Sequence, residues 1–243
     1  MIYVTSDLHG RKDLFDKLLS AAGFSDGDWL YILGDVIDRH GNGGVDILKW
    51  LLFQPNVQLI LGNHEAMLLS NRWLFEEINE ESVDSVGEGD ISTLATWEMN
   101  GGSLTMKALA AEPAETRQDI LDYLNDCPLM EAVSVNGRDY VLVHSGLGNF
   151  SEDKPLADYT SSELLWTRPT PLTRYCPERY TVILGHTPTC YYAEAYKNRM
   201  IRSNGWWNID TGAAMKQGSP MLLRLDDLTE FYVEPDGSVT VLQ

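Results

Sequence analysis

Residues that can bind metal ions follow five separate apolar runs of this sequence. In chain order they are Asp7 with His9, Asp35, Asn63 with His64, His144, and His186. Four of the five histidines lie in these positions, and the fifth is His40. Histidines with purely structural roles would be scattered over helices and loops, so this placement indicates a functional site.

The donor set predicts two divalent cations. Six side chains offer oxygen or nitrogen donors, and none of them is a thiol: Asp7, His9, Asp35, Asn63, His144 and His186. One tetrahedral ion cannot use six donors, whereas two five- or six-coordinate ions can if one carboxylate bridges them. Magnesium prefers oxygen ligands, so three imidazoles favour other metals. We expect two Mn²⁺ ions, with iron or zinc as the alternatives.

The first sixty residues predict the elements that position the first three clusters. Apolar runs at 2–5, 29–33 and 57–61 are typical of strands, and apolar residues at helical spacing in 14–22 and 45–53 predict helices between them. This β-α-β-α-β order implies parallel strands. Ligands of open α/β sheets bind outside the carboxyl ends of such strands, where all three clusters fall.

The middle and the end of the chain differ in pattern. Residues 76–90 hold seven acidic side chains and no basic one, which predicts a solvated loop or a mobile lid. Helices are expected at 103–111 and 114–125, and a capping box at 160–163 opens a short helix.

Short apolar runs predict strands through the second half of the chain. They lie at 130–135, 140–143, 182–184, 200–203, 208–209, 221–225, 231–233 and 239–242. Asn136-Gly137 predicts a type I′ hairpin between the first two. No repeat or low-complexity linker divides the sequence, so we expect one domain over residues 1–243. The fold class is α/β, with two mixed β-sheets packed in a sandwich and flanked by helices.

Charge and composition exclude several classes of protein. Eighteen basic residues against 36 acidic ones give a net charge of −18, which repels nucleic acid and anionic lipid. We expect neither a nucleic-acid nor a membrane partner. No apolar run could span a membrane, and the first residues do not form a signal peptide. Cys127, Cys176 and Cys190 form no CxxC pair, which favours reduced thiols in a cytoplasmic, monomeric protein.

At least seven segments together resemble a known family. Ser6-Asp7-Leu8-His9-Gly10, the run GDVIDR at 34–39 and Gly62-Asn63-His64-Glu65 are similar to the metallophosphoesterase motifs GDxHG, GDxxDRG and GNHE. The later segments that resemble the family, in its order, are Asn100-Gly101-Gly102, Leu165-Trp166-Thr167-Arg168, Gly185-His186-Thr187-Pro188 and Ile209-Asp210-Thr211-Gly212-Ala213. The sequence resembles the PPP-type phosphatases, specifically the small bacterial and bacteriophage lambda type. The resemblance implies the calcineurin-like metallophosphoesterase fold.

The resemblance also implies a role for each matching residue. Asp7 and His9 would hold the first metal ion, Asp35 would bridge both ions, and the second ion would be held by Asn63, His144 and His186. His64 would be the general acid, oriented by Asp38. Arg39 and Arg168 would clamp phosphate oxygens, and Asn63 and His64 would also face the substrate phosphate.

These roles agree with the chemistry of phosphoester hydrolysis. Two cations neutralise the phosphate and activate water as the nucleophile, and an arginine fork fits two phosphate oxygens. Histidine beside a carboxylate can protonate a poor leaving group. Such a chain would hydrolyse phosphomonoesters in proteins, as a serine/threonine and also a tyrosine phosphatase.

A diadenosine tetraphosphate (dinucleoside polyphosphate) hydrolase of the ApaH type is the alternative on the same dimetal core. The Asp38-Arg39 pair together with the GNHE ending favours the phosphatase. The charge of −18 disfavours a nuclease. A metal-binding scaffold without activity is disfavoured by the complete set of ligands, acid and arginines.

Three further residues near these motifs have expected structural roles. His40 replaces the final glycine of GDxxDRG, and we expect it to be exposed and inert. Glu65 is expected to cap the following helix or to brace the loop rather than to bind metal. Asp210 could hydrogen-bond a ligand histidine or, equally well, stabilise a turn at a strand end.

Overall fold

The computed structural model of the chain describes residues 1–75 and 87–243. Its strands are β1 Ile2–Thr5, β2 Trp29–Ile32, β3 Val57–Leu59, β4 Met130–Val135, β5 Arg138–Val143, β6 Thr181–Leu184, β7 Ile201–Arg202, β8 Trp206–Asn208, β9 Met221–Arg224, β10 Glu230–Val233 and β11 Val239–Leu242. The α-helices in the described residues are α1 Lys12–Ala22, α2 Val45–Leu51, α3 Asn63–Ser70, α4 Glu88–Met99, α5 Ser103–Ala110, α6 Ala114–Asn125 and α7 Ser161–Leu165. None of these helices is long and apolar enough to cross a membrane.

The strands form two mixed sheets. The first has the order β11-β10-β9-β1-β2-β3, and the second has the order β4-β5-β6-β8-β7. Strands β1, β2 and β3 run parallel to one another, as do β5, β6 and β8, and the remaining strands pair antiparallel with their neighbours. Each sheet therefore contains three adjacent parallel strands, at one side of the first sheet and in the middle of the second, and the predicted architecture of two mixed sheets is confirmed.

An apolar layer joins the two sheets. Val4 and Leu33 from the first sheet pack in one buried cluster with Leu142 and Ile183 from the second. Helices α1 and α2 cover the other face of the first sheet, where Phe15, Leu18 and Leu48 are buried. Both faces of these parallel strands are buried, which explains why their sequences are almost continuous apolar runs.

Local signals in the sequence explain the element boundaries. Gly23 ends α1 in a left-handed conformation with φ 66°. Asn136 and Gly137 both have positive φ, as a type I′ turn requires. Thr160 caps α7 and exchanges hydrogen bonds with Glu163 in the predicted capping box. The predicted strands and helices are present, with ends that match or are shifted by at most two residues.

The prediction of a loop over residues 76–90 is wrong at its end. Gly87 is the N-cap of α4, and Asp90 accepts a hydrogen bond from the Gly87 N–H at 2.9 Å. Acidic residues in the first helical turn are stabilised by the unpaired N–H groups there, so an acidic run does not by itself exclude a helix. Residues 76–86 lie outside the described part of the chain.

The two sheets approach closely at Gly185, just beyond β6. A side chain at this position would overlap the Ser6 hydroxyl and the Asp7 carboxylate, which follow β1. The Gly185 N–H donates to the His144 carbonyl at 2.8 Å, which aligns the ends of β5 and β6. Only glycine lets the two sheets meet at this edge.

Gly185→Ala is expected to abolish binding of at least one metal ion and to destabilise the fold by about 1–3 kcal/mol, because the added methyl group displaces the Asp7 carboxylate. Metal content of the purified variant and urea unfolding measure both effects. Gly27→Ala is the control, since the nearest atom to its added carbon is 4.0 Å away. Full metal content in Gly185→Ala would show that the approach of the sheets is not required.

Candidate dinuclear metal centre

The carboxyl ends of all six parallel strands meet at one place. The strand ends contribute Asp7 after β1, Asp35 after β2, Asn63 after β3, His144 after β5, His186 after β6 and Asp210 after β8. All six residues are at most 7% exposed. The sandwich therefore brings polar residues that are up to 200 positions apart in sequence into one buried cluster.

Four donor atoms converge at the junction of the two sheets. Asn63 Oδ1 lies 2.9 Å from His144 Nε2 and 2.8 Å from His186 Nδ1. The two imidazole nitrogens are 3.2 Å apart, and His144 Nε2 is 3.4 Å from Asp35 Oδ1. His144 Nδ1 contacts the Leu33 carbonyl at 2.7 Å. A carbonyl oxygen can only accept, so Nδ1 carries the proton and Nε2 presents a lone pair to the cluster.

A second group of donors surrounds the other oxygen of Asp35. His9 Nε2 and His64 Nε2 each lie 3.8 Å from Asp35 Oδ2. His9 Nδ1 donates to the Ile37 carbonyl at 2.9 Å, which leaves Nε2 free as an acceptor. Asp35 thus faces both groups, the arrangement expected for the bridging carboxylate.

Asp7 lies at the edge of this cluster. Its carboxylate accepts the His186 backbone N–H at 3.0–3.1 Å and is hydrogen-bonded by the Ser6 hydroxyl. The structure therefore ties the end of β1 to the end of β6 through Asp7. The negative charge of Asp7 contributes to raising the pKa of Asp35.

The residues of the cluster fit divalent cations. Burial raises the pKa of Asp7 and of Asp35 well above the ordinary carboxyl value. Burial lowers the pKa of His144 to about 3 and that of His186 to about 2. Imidazoles that stay neutral keep their lone pairs, and crowded carboxylates require positive charge. His186 Nε2 is buried without a hydrogen-bond partner, as expected where a polar atom serves a site rather than the fold.

Strained backbone is concentrated in the same cluster. Of the ten non-glycine residues with positive φ in the described chain, six belong to it: Asp7, His9, Asp35, Asp38, Arg39 and His186. A positive φ costs energy in any residue with a Cβ atom, so it persists only where other interactions hold it. Strain of this kind is typical of ligand-binding sites.

Glu65 holds one of these strained loops in place. Its carboxylate accepts the N–H groups of Asp35 at 2.8 Å, Val36 at 2.9 Å and Gly62 at 3.0 Å. Glu65 is completely buried and lies in the first turn of α3. The expectation that it caps the helix and braces the loop is confirmed.

His64 is oriented by a buried network around Asp38. His64 Nδ1 donates to Asp38 Oδ2 at 2.6 Å, because a carboxylate can only accept. Trp97 Nε1 donates to the same oxygen at 2.9 Å, and the Thr105 hydroxyl donates to Oδ1. His64 Nε2 therefore points toward Asp35 and Arg39.

Sequence reasoning identified the pair of His64 and Asp38 but missed Trp97 and Thr105. These two residues lie on α4 and α5, far along the chain, and neither residue type signals such a role. The predicted block Asn100-Gly101-Gly102 lies between them, and the Gly101 carbonyl accepts the Arg39 N–H at 3.3 Å. That block was the only available signal.

A cavity of about 200 Å³ opens above the candidate metal ligands. Its floor contains His9, Asp35, Asn63, His64 and His186. Arg39 and Arg168 lie at its mouth, where Arg39 Nη2 donates to His64 Nε2 at 3.4 Å and Arg168 Nη1 donates to Thr187 Oγ1 at 2.7 Å. Two guanidinium groups above a cluster of donors form a site for a phosphate group.

Two exposed aromatic side chains form the rim of this cavity. Trp166 is 46% exposed and Tyr191 is 68% exposed. The Trp166 ring also meets the His186 ring edge to face at 6.0 Å. Trp166 falls in a predicted block, but sequence reasoning assigned it no role, and Tyr191 carries no motif.

Two expectations about nearby residues are decided by the structure. His40 is half-buried, and its Nε2 donates to the Ala214 carbonyl at 3.1 Å, so the expectation of an exposed side chain is wrong. Positive φ falls on Asp38, Arg39 and Gly41 instead of His40, which explains why histidine is tolerated there. Asp210 accepts the Gly212 N–H at 2.9 Å and stabilises a turn, and burial raises its pKa to about 7.

Comparison with known families matches this geometry. The model of the calcineurin-like phosphoesterase family matches residues 1–212. This chain belongs to that family. The clustered strand-end residues are its candidate dimetal site.

Curated relatives fall into two groups. A symmetrical bis(5′-nucleosyl)-tetraphosphatase of Acidovorax sp. strain JS42 is 25% identical over 147 residues, which are 60% of this chain and 44% of the relative. Serine/threonine-protein phosphatase 2 of Escherichia coli K12 is 30% identical over 172 residues, 68% of this chain and 66% of the relative. The chain thus spans less than half the length of the Acidovorax protein.

Solved structures share the fold. A protein assigned as a diadenosine tetraphosphatase superposes with a TM-score of 0.58 at 17% identity, covering 99% of this chain and 92% of the other. The cold-active protein-tyrosine phosphatase of a psychrophilic Shewanella species gives a TM-score of 0.53 at 17% identity, covering 100% of this chain and 80% of the other. At these identities the likeness shows the fold alone.

His64→Asn is expected to lower kcat for phenyl phosphate by about 10²–10⁴-fold, because its alkoxide-like leaving group needs a proton. The loss on p-nitrophenyl phosphate should be much smaller, since that leaving group departs without protonation. Steady-state kinetics on both substrates and metal analysis of the variant provide the test. Equal losses on the two substrates with unchanged metal content would remove His64 as the acid.

Removal of metal with EDTA is expected to lower the thermal midpoint by about 5–10 °C, because ions that bind only the folded state stabilise it by mass action. Added Mn²⁺ should restore the midpoint in differential scanning fluorimetry. Asp35→Asn is the matched variant, and it should respond weakly to both treatments. A full response in Asp35→Asn would contradict the bridging role of Asp35.

Proposed function

We propose that this chain hydrolyses symmetrical dinucleoside polyphosphates, with diadenosine tetraphosphate as the test substrate. The observation that carries the proposal is the cavity of about 200 Å³ above the candidate metal ligands, called the metal cavity below, with Arg39 and Arg168 at its mouth and exposed aromatic rings at its rim. Aromatic rings stack on nucleobases, which gives a nucleotide substrate a contact that a serine side chain cannot make. The tetraphosphatase names of the first relatives support the same substrate class.

This proposal reverses the order suggested by the sequence alone. The Asp38-Arg39 pair and the GNHE ending favoured a protein phosphatase. Both features lie in the part of the site that handles the scissile phosphate, and they say little about the group attached to it. Substrate choice depends on the rim, to which the sequence motifs assigned no role.

The residues of the site have separate roles in the proposed hydrolysis. Two divalent cations held by the strand-end residues would neutralise the phosphate and activate the attacking water. Arg39 and Arg168 are placed to bind non-bridging oxygens and to keep the scissile phosphorus over the cavity floor. His64 Nε2 faces the cavity, and in the doubly protonated form of the ring it would give its proton to the departing oxygen, while Asp38 holds the ring orientation.

A serine/threonine or tyrosine protein phosphatase is the second candidate. The alignment with phosphatase 2 of E. coli is longer and more identical than that with the Acidovorax tetraphosphatase. The same floor residues would serve a phosphomonoester, and the proton from His64 would matter more for an alkoxide leaving group. The metals are proposed to be Mn²⁺ in either case, because the histidine-rich donor set disfavours Mg²⁺.

The two candidates are separated by one comparison of substrates. The Mn²⁺-loaded protein is offered diadenosine tetraphosphate, a phosphoserine peptide and a phosphotyrosine peptide, and products are separated by chromatography. We expect ADP as the product and a kcat/KM at least about tenfold higher for the dinucleotide than for either peptide. Arg168→Gln should lose activity on all three, which controls for a contaminating enzyme.

A higher kcat/KM on a phosphopeptide would overturn the proposal in favour of the second candidate. Release of AMP with ATP, rather than ADP alone, would contradict symmetrical cleavage. Activity of Arg168→Gln equal to that of the unsubstituted protein would show that the measured hydrolysis does not arise in this cavity.

A further inference from the structure

A groove extends away from the metal cavity on the side of Met215. One cavity of about 280 Å³ shares Met215 with the metal cavity, and a larger one of about 540 Å³ continues from it. The two outer cavities share five lining residues, Lys197, Asn198, Lys216, Gln217 and Gly218. We call these two cavities together the basic groove. The basic groove therefore lies next to the metal cavity, on the other side of Met215.

The charge of the basic groove is opposite to that of the protein. Acidic residues outnumber basic ones two to one in the chain, yet the larger cavity is lined by Arg11, Lys197 and Lys216 and by a single acidic residue, Glu234. Cations collected in one cleft of a protein with a net charge of −18 indicate an anionic ligand.

The acidic residues along the groove are themselves paired. Glu234 is neutralised by Arg199, at 2.9 Å. Glu194, in the smaller cavity, lies 3.7 Å from Lys197, and both side chains are exposed. Lys216 makes no ion pair within the described residues and is therefore available to a ligand. Exposed pairs such as Glu194 with Lys197 are weak and are easily exchanged for a phosphate group.

The wall between the metal cavity and the groove is a firmly held loop, residues 212–218. Its ends are joined by the Thr211 hydroxyl, which donates to the Ser219 carbonyl at 2.6 Å. His40 holds the loop from the metal side through the Ala214 carbonyl, and Arg11 holds it from the groove side through the Gly218 carbonyl at 3.4 Å. Because this loop is held from both sides, Met215 keeps a fixed position between the metal cavity and the basic groove.

We propose that the basic groove binds the part of the substrate beyond the scissile phosphate, a nucleoside polyphosphate anion, and holds it as the leaving group. The inference rests on the proposed function, because only a substrate with a second phosphate chain needs such a groove. Lys197 and Lys216 contact that chain, while Arg39 and Arg168 bind the phosphate being cleaved. The groove thus distinguishes long anionic substrates from simple phosphomonoesters.

ADP and inorganic phosphate are the probes for this groove. Both are tested as inhibitors of p-nitrophenyl phosphate hydrolysis by the Mn²⁺-loaded protein, with Mn²⁺ in excess over ADP. Phosphate fits the metal cavity alone, whereas ADP reaches the groove as well. The double variant Lys197→Gln/Lys216→Gln should raise the inhibition constant of ADP by at least about fivefold and leave that of phosphate unchanged.

The controls separate the groove from general effects of charge and folding. Both lysines are exposed, so the double variant should fold and keep its kcat on p-nitrophenyl phosphate. Lys107→Gln removes an exposed lysine on α5 that lines neither the groove nor the metal cavity, and it should change neither inhibition constant. An unchanged inhibition constant for ADP in the double variant overturns the proposal. Equal changes in the two inhibition constants also overturn it, because they would reflect only a change in the electrostatic potential of the whole protein.

The hydrolysis of diadenosine tetraphosphate and the inhibition by ADP test the proposed function and the groove separately. Absence of diadenosine tetraphosphate hydrolysis would remove the proposed function. A selective loss of ADP inhibition would in that case still establish the groove as a nucleoside polyphosphate site. Hydrolysis of the dinucleotide with no effect of the lysines would sustain the function and remove the groove.

Discussion

The candidate metal site depends on several carboxyl groups that are buried away from water. Asp7, Asp35, Asp38, Glu65 and Asp210 are each at most 2% exposed and lie around one junction of two sheets. Buried carboxylates of like charge destabilise a fold unless cations or N–H groups compensate them. Glu65 and Asp38 are compensated by the chain itself, through N–H and hydroxyl donors. Asp7 and Asp35 are only partly compensated by the chain, and their remaining negative charge favours bound cations, as in a metal site.

The sandwich of two sheets makes this concentration of polar groups possible. Each sheet contributes three parallel strands, and the chain leaves each of them with a polar residue at the same edge. Antiparallel strands would have sent alternate strand ends to the opposite side. Positive φ at six site residues turns the chain sharply enough for the side chains to face one another, and the Glu65 carboxylate holds the loop after β2 in that conformation. The cost of the strain is offset by interactions that exist only in the folded protein.

One part of the site is built from strand ends and the other part is built from loops. Strand ends provide the donors that handle the phosphate, and these are rigid because the apolar layer between the sheets fixes them. The rim and the basic groove are built from loops, where Trp166, Tyr191 and residues 212–218 lie. Loops change length and residue type without disturbing a core, so one metal centre can serve different substrates. Relatives that differ in substrate class fit this division.

The sequence by itself determined the strands and most helices of the described residues, because these depend on apolar periodicity. It also indicated a candidate set of metal ligands from the residue types next to strand ends. It missed α4 and misjudged the burial of His40, since a helix N-terminus tolerates acidic residues and a side chain's burial depends on distant loops. Only the tertiary structure placed Trp97 and Thr105 on Asp38 and gathered Arg11, Lys197 and Lys216 in one cleft. Contacts between residues far apart in sequence leave no local pattern, because they arise only when separate elements pack together.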